Sequence, residues 1–92
     1  MNLPDLIQSA IQNGNFSISI HARQRLRQRK ISLWQVETGV DNWIVLEERP
    51  QDNPNPSIVC EQSLPDGAKI IVVWAWHLDN NQALLVTVYF PN

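Results

Sequence analysis

The stretch HARQRLRQRK, residues 21–30, holds five of the seven lysine and arginine residues of this 92-residue chain. All nine acidic residues lie outside it, so the rest of the chain, with two positive and nine negative side chains, carries a formal charge of −7. The net charge of −2 is therefore the sum of one basic segment and an acidic remainder of the chain, which we call the acidic body. No glycine or proline interrupts the stretch, and arginine, glutamine, leucine and alanine all favour helix. We therefore predict a basic helix here.

The side chains of this helix divide into an inner and an outer row. Residues four apart are neighbours on a helix, so His21, Arg25 and Arg29 form one row. This inner row lies beside the apolar stripe of Ala22 and Leu26, which must face the core. The outer cations point to solvent, as on an ordinary solvated face: Arg23, Arg27 and Lys30. For Arg25 and Arg29, a structural ion pair with the acidic body and an anion or RNA site both remain open.

Apolar patterns outside this helix predict an α+β fold in a single domain, residues 1–92. Three short helices, including the basic one, would pack on one face of an antiparallel sheet of about four strands. Residues 16–20 alternate apolar and polar side chains, so they form a short strand or an extended lead-in, and Ser19 has the chemistry of an N-cap. The other predicted helices are 4–12 and 33 to about 40, and the predicted strands are 43–48, 57–63, 68–77 and 83–90.

The last two predicted strands can be paired by geometry. If His77 lies opposite Ala83, then Ile71 faces Tyr89. One face of this pair is uniformly large and apolar and should lie under the helices: Val72, Trp74, Trp76, Leu84, Val86, Val88 and Phe90. The opposite face carries an apolar patch: Ile71, Val73, Ala75 and Leu85. Such patches usually mark interaction sites when they are exposed, so we expect a homodimer or a docked protein partner there, unless the first helix folds over this face.

Composition argues against several classes of function. The N-terminus lacks the basic and apolar segments of a signal peptide, and the longest apolar run, residues 70–76, is too short for a bilayer. We therefore expect a cytoplasmic protein without membrane contact. The two histidines and the single Cys60 lack the paired spacing of a metal site, and no glycine-rich loop is present, so we expect no metal and no cofactor. A helix-turn-helix reader of DNA fits poorly, because the following helix contains Glu37 and no cation.

Residues 19–32, with the spacing Ser-Ile-His-Ala-x-x-Arg-x-x-x-Arg-x-Ile-Ser, resemble a small bacterial domain-of-unknown-function family numbered forty-two fifty-eight. Its hallmark is the motif His-Ala-x-x-Arg-x-x-x-Arg-x-Ile, followed by short strands that end in a hydrophobic-Thr-Val-Tyr strand. The resemblance covers about residues 17–89. The positions that it carries over are His21, Arg25 and Arg29, and with them Thr87 and Tyr89 of the last strand.

That family looks like a relative of RelE-type and BrnT-type toxins, compact α+β proteins with an antiparallel sheet. The resemblance therefore implies a toxin-like domain that binds RNA and, if it is an enzyme, cleaves it. Two features depart from the pattern. Lys30 stands where glycine is usual before Ile31, and this chain is acidic whereas RelE-type nucleases are usually strongly basic.

Cleavage of RNA through its 2′-hydroxyl needs a base, an acid and a group that stabilises the phosphorane. His21 or His77 could act as acid or base, because histidine titrates near neutral pH. Arginines bind phosphate in a bidentate manner, and a tyrosine can position or donate. The candidates for these roles are Arg25, Arg29 and Tyr89. The competing hypothesis is a non-catalytic protein-interaction module in which the arginines bridge to carboxylates of the body: Glu37, Glu47 or Glu48.

Overall fold

The computed structural model describes residues 2–91 and shows three α-helices on one face of a five-stranded sheet in that part of the chain. The helices are α1 (Leu3–Gln12), α2 (Ile20–Arg29) and α3 (Leu33–Gly39), and a 3-10 turn (Val40–Asn42) follows α3. The strands are β1 (Phe16–Ile18), β2 (Ile44–Arg49), β3 (Ser57–Ser63), β4 (Lys69–His77) and β5 (Gln82–Tyr89). The predicted α+β class is confirmed.

The strands lie in the order β1-β5-β4-β3-β2, and every neighbouring pair is antiparallel except β1 with β5. The predicted number of about four strands is one too low, because the short segment Phe16–Ile18 pairs in parallel with Ala83–Leu85. This pairing occupies only the first half of the β5 edge. Helix α2 packs against β5 directly after β1 ends.

A β-bulge in β5 interrupts the predicted register. The register agrees with the prediction where Val73 lies opposite Thr87. The next pair along the two strands is Trp74 opposite Leu85, so Val86 is the extra residue in β5. A bulge of this kind adds one residue to one strand and reverses the alternation of its side chains from that point.

The bulge therefore changes which side chains of β5 face the helices. Ala83 and Leu85 are fully buried in the core under the helices. Leu84 and Val86 lie on the other face of the sheet, where Val86 packs against a separate apolar cluster. The prediction that Leu84 and Val86 lie in the core, with Leu85 on the open side, is wrong. It assumed a pairing without a bulge, in which residues 84 and 86 would face the helices.

A buried amide joins α3 to the sheet. The side chain of Gln62 in β3 is only 2% exposed, and its Nε2 donates a hydrogen bond to the carbonyl of Val36 at 2.9 Å. This contact satisfies one of the carbonyls at the end of α3 that have no partner within the helix. A β-carbon on Gly39 would collide with the same amide nitrogen. A larger residue at this position would displace the Gln62 side chain and with it the hydrogen bond to Val36.

The face of the sheet away from the helices carries its own small cluster, formed by Val59, Ile71 and Val73 with Val86 packed against it. The predicted patch on this face is largely buried and not exposed, because Ile71, Val73 and Ala75 are each 9% exposed or less. We call it the open sheet face. Helix α1 does not cover it, because its buried residues belong to the core on the other side: Ile7, Ala10 and Ile11. The alternative in which the first helix seals the open sheet face is therefore wrong.

The end of α2 is unusual because Lys30 adopts the left-handed conformation, with φ 56° and ψ 41°. The backbone N–H of Ile31 donates to the carbonyl of Leu26 at 3.0 Å, which closes the helix. Glycine normally occupies such a position, because a β-carbon makes the left-handed region unfavourable by about 1–2 kcal/mol.

We predict that Lys30→Gly raises the free energy of unfolding by about 1 kcal/mol, because the strain at the helix end is removed. Urea denaturation measures the change, and Lys30→Ala is the control, since alanine removes the charge and keeps the strain. A Lys30→Gly variant that is no more stable than Lys30→Ala would contradict this account.

Candidate functional site

Ser19 places the basic helix on the sheet through three hydrogen bonds. Its N–H donates to the carbonyl of Leu85 at 3.0 Å, and its hydroxyl donates to the carbonyl of Val86 at 2.9 Å. The same hydroxyl accepts the N–H of Ala22 at 2.9 Å, so Ser19 is the N-cap that the sequence predicts. Ala22 and Leu26 are then buried against the core. The direction of α2 is thus set at the bulge in β5.

The inner row of α2 contains a contact between two motif residues. Arg25 Nε donates to His21 Nε2 at 3.4 Å, and Arg25 Nη1 donates to Gln28 Oε1 at 2.9 Å. The burial of the arginines follows the predicted division, although His21 at the start of the inner row is exposed. Arg25 and Arg29 are half-buried, and the outer cations are exposed: Arg23, Arg27 and Lys30.

Within residues 2–91, neither Arg25 nor Arg29 forms an ion pair with a carboxylate. The one ion pair of that part of the chain joins Arg49 and Glu47 of β2, with Nε and Oε2 2.7 Å apart. Its hydrogen bond lowers the pKa of the Glu47 carboxyl. The predicted alternative, in which the inner arginines bridge to the acidic body, is therefore not what the structure contains.

The other predicted site residues lie apart from this helix row. His77 is at the end of β4 opposite Gln82, and not Ala83 as predicted, and its Nδ1 accepts the N–H of Asn80 at 3.3 Å. Tyr89 lies opposite Ile71, six residues along β4 from His77, or about 20 Å at strand spacing. The fold therefore brings His21 and Arg25 together but separates His77 from Tyr89.

Tyr89 borders a groove of about 450 Å³ on the open sheet face. We define the open-face groove by an apolar floor and a polar rim. The floor is formed by Val73, Ala75, Leu84 and Val86, and the rim includes Arg49, Asp52 and Tyr89. The loop after β2 holds the rim in place, because Ser57 Oγ donates to Asp52 Oδ2 at 2.6 Å.

Arg29 borders a second cavity, of about 270 Å³, where α2 ends. We call it the terminal pocket and define it by residues from four segments: Arg29, Lys30, Gln35, Leu64, Asp66 and Phe90. The sequence predicted Arg29 as a site residue but not this pocket, because its walls are far apart in the chain. The available signal was Lys30, a cation at a helix end where glycine is usual.

The remaining chemical groups are placed as follows. Cys60 is fully buried, and burial raises the pKa of its thiol to about 12, so it has no thiolate to react near neutral pH. Residues 2–91 contain no group of three or more histidine, cysteine, aspartate or glutamate side chains placed to hold a metal ion. No helix in that range has the length and apolar character that crossing a membrane requires.

Comparison with known proteins identifies one family. The model of the family described as a domain of unknown function (DUF4258) matches residues 18–90, from the end of β1 to just beyond β5. The match includes α2, the β5 residues that line the groove on the open sheet face, and Phe90 of the terminal pocket. No curated protein and no solved structure matches the chain.

We predict that Ser19→Ala lowers the free energy of unfolding by about 1–2 kcal/mol, because α2 loses its cap and the Val86 carbonyl loses its donor. Urea denaturation measures the loss. Ser17→Ala is the matched control, since Ser17 is also half-buried in the same segment, and its effect should stay within about 0.5 kcal/mol. Equal midpoints for the two variants would show that Ser19 does not anchor the helix.

Proposed function

This chain belongs to the family of the domain of unknown function DUF4258, and we propose that it is a toxin-like domain that binds RNA through the basic face of α2. The observation that carries the proposal is the unpaired state of the cations. Five cationic side chains lie at residues 23–30, and none forms an ion pair with a carboxylate within residues 2–91. A polyanion is the ligand that such a surface attracts most strongly.

Stability gives no reason for this arrangement. Exposed ion pairs contribute only about 0–1 kcal/mol, and like charges four residues apart on a helix cost a few tenths of a kcal/mol. Arg23 and Arg27 form one such pair, and Arg25 and Arg29 form another. A helix selected for stability would alternate charges, so the clustering supports a role in binding.

The charge of the rest of the chain limits how RNA would bind. The body around α2 is acidic and repels phosphates, so only a few nucleotides would contact the protein along one short helix. Reading of duplex DNA in the major groove is less well supported, because the helix that follows the basic one, α3, contains Glu37 and no lysine or arginine. We therefore favour single-stranded RNA, with weak and salt-sensitive binding.

The inner row would also supply the groups for cleavage. His21 is an acid–base group next to Arg25, which in turn could hold the phosphate that reacts. Arg29 lies one helical turn further along the same row and would hold the next phosphate. This function would place the protein in the cytoplasm, where a single free Cys60 stays reduced.

We predict that labelled single-stranded RNA binds with an affinity that falls as salt rises, with a log–log slope of about −2 for roughly three phosphate contacts. Replacing Arg25 and Arg29 together by alanine should weaken binding on the order of tenfold, through lost charge-assisted bonds. Fluorescence anisotropy at two salt concentrations measures both effects.

The matched control for this double variant is Arg49→Ala, which removes a cation from β2 and should leave affinity nearly unchanged. Incubation of the RNA with the wild type and with His21→Gln, followed by gel analysis, tests cleavage. Folded wild-type protein that does not bind RNA at low salt would refute the proposal. RNA that binds normally but stays intact would restrict the proposal to RNA binding without cleavage.

A second candidate function rests on the open-face groove, which no helix within residues 2–91 covers. The half-buried side chains of its floor are Leu84 and Val86, since Val73 and Ala75 are only 9% and 3% exposed. The rim carries charges of both signs, Arg49 and Asp52. In a contact between two copies related by a two-fold axis, Arg49 of each copy would lie near Asp52 of the other, and opposite charges on one rim suit such a contact. A homodimer through this face is therefore the form of protein interaction that we propose.

We predict that the wild type sediments or scatters light as a dimer and that Leu84→Glu converts it to a monomer, because a charge enters the apolar floor. Leu78→Glu is the control, since Leu78 is exposed in the loop between β4 and β5 and lies outside the groove. A monomeric wild type at high concentration would refute the homodimer and leave an antitoxin-like protein as the partner to test.

A further inference from the structure

The terminal pocket lies at the end of the proposed RNA-binding helix, and the proposed function uses only two of its lining residues, Arg29 and Lys30. It is formed by the end of α2, the first turn of α3, the turn between β3 and β4, and the residue after β5. We propose that this pocket binds one nucleotide, with the base against Phe90 and the phosphate against Arg29 and Lys30. The inference rests on the proposed function, because it names the part of an RNA that this end of α2 would hold.

The first observation is the distribution of charge around the pocket. Arg29 and Lys30 lie on one side, and Asp66 is on the turn between β3 and β4. One carboxylate oxygen of Asp66 is already occupied, because it accepts the N–H of Ala68 at 2.9 Å. A phosphate is attracted to the cationic side and repelled from Asp66. The phosphate would therefore lie at the helix end, and the base would lie deeper in the pocket.

The second observation is the aromatic side chain. Phe90 lines the pocket and is 42% exposed, although a phenylalanine is normally buried. An exposed aromatic ring near cations is the arrangement on which single-stranded bases stack. Leu64 adds an apolar side chain to the same cavity. A volume of about 270 Å³ is large enough for a base and small enough to hold only one nucleotide.

The third observation is a polar group with spare donors. Gln35 Oε1 accepts the N–H of Ser32 at 3.1 Å, which determines which end of the amide is the oxygen. Within residues 2–91, the Gln35 amide nitrogen donates no hydrogen bond, so both of its N–H groups are free to donate. Carbonyl oxygens and ring nitrogens of bases accept such bonds. The side chain therefore favours a base over a simple apolar ligand.

The conformation of Lys30 supports the same conclusion. A left-handed lysine makes the fold less favourable, and glycine would end the helix without this strain. Strained residues of this kind are concentrated at binding sites, where the contribution of the side chain to binding compensates for the unfavourable backbone conformation. At Lys30 the side chain adds a second cation at the position where the phosphate is expected.

The direct test uses guanosine 5′-monophosphate, ribose 5-phosphate and inorganic phosphate, each added to the full chain and followed by amide NMR shifts. We expect the nucleotide to bind on the order of tenfold more tightly than ribose 5-phosphate, because only the nucleotide can stack on Phe90. The shifts should include the side-chain amide of Gln35. Equal affinity for the three compounds would overturn the inference and reduce the pocket to an anion site.

Variants separate this inference from the proposed function. Phe90→Leu keeps an apolar wall without a stacking ring and should weaken both nucleotide and RNA binding about tenfold, and Phe90→Trp should restore both. Trp34→Ala is the control, because Trp34 is 60% exposed and does not line the pocket. Unchanged binding by Phe90→Leu, together with loss in the arginine double variant, would refute the pocket and retain the basic face.

Discussion

The hydrogen bonds of Ser19 are the contacts on which the arrangement of this domain depends. They join three structural events at one residue: the end of β1, the start of α2 and the bulge in β5. Since β1 is only three residues long, the chain leaves the sheet edge early, and α2 packs against β5 from there on. The position of the basic face relative to the sheet follows from this one connection.

The bulge has a second consequence, because it determines what each face of the sheet presents. It allows Trp74 to lie opposite Leu85, so both can be fully buried under the helices. It also turns Leu84 and Val86 toward the open side, where they form the floor of the open-face groove. A single extra residue in β5 therefore places Leu85 in the core and forms an apolar groove on the opposite face.

Charge in this protein is separated rather than paired. The cations of α2 repel one another, and the capped helix start and the buried Ala22 and Leu26 hold the helix despite that repulsion. The contacts of Arg25 are to His21 and Gln28, and neither partner is a carboxylate that would neutralise the guanidinium charge. At the other end, the terminal pocket adds Phe90 and Gln35 beside the last two cations. The two proposals are therefore compatible, because one nucleic acid strand could lie along the helix and place a nucleotide in this pocket.

The sequence by itself determined the local features of this protein. The basic helix and its buried stripe, the cap at Ser19, the α+β class and most element bounds follow from periodicity, capping and turn chemistry, which act over a few residues. Only the tertiary structure decided three features: the fifth strand, which side chains of β5 face the core, and the pockets. The bulge arises only in the pairing of β5 with β4, and the terminal pocket joins segments as distant as Arg29 and Phe90. Packing between distant segments leaves no periodic signal in a single sequence.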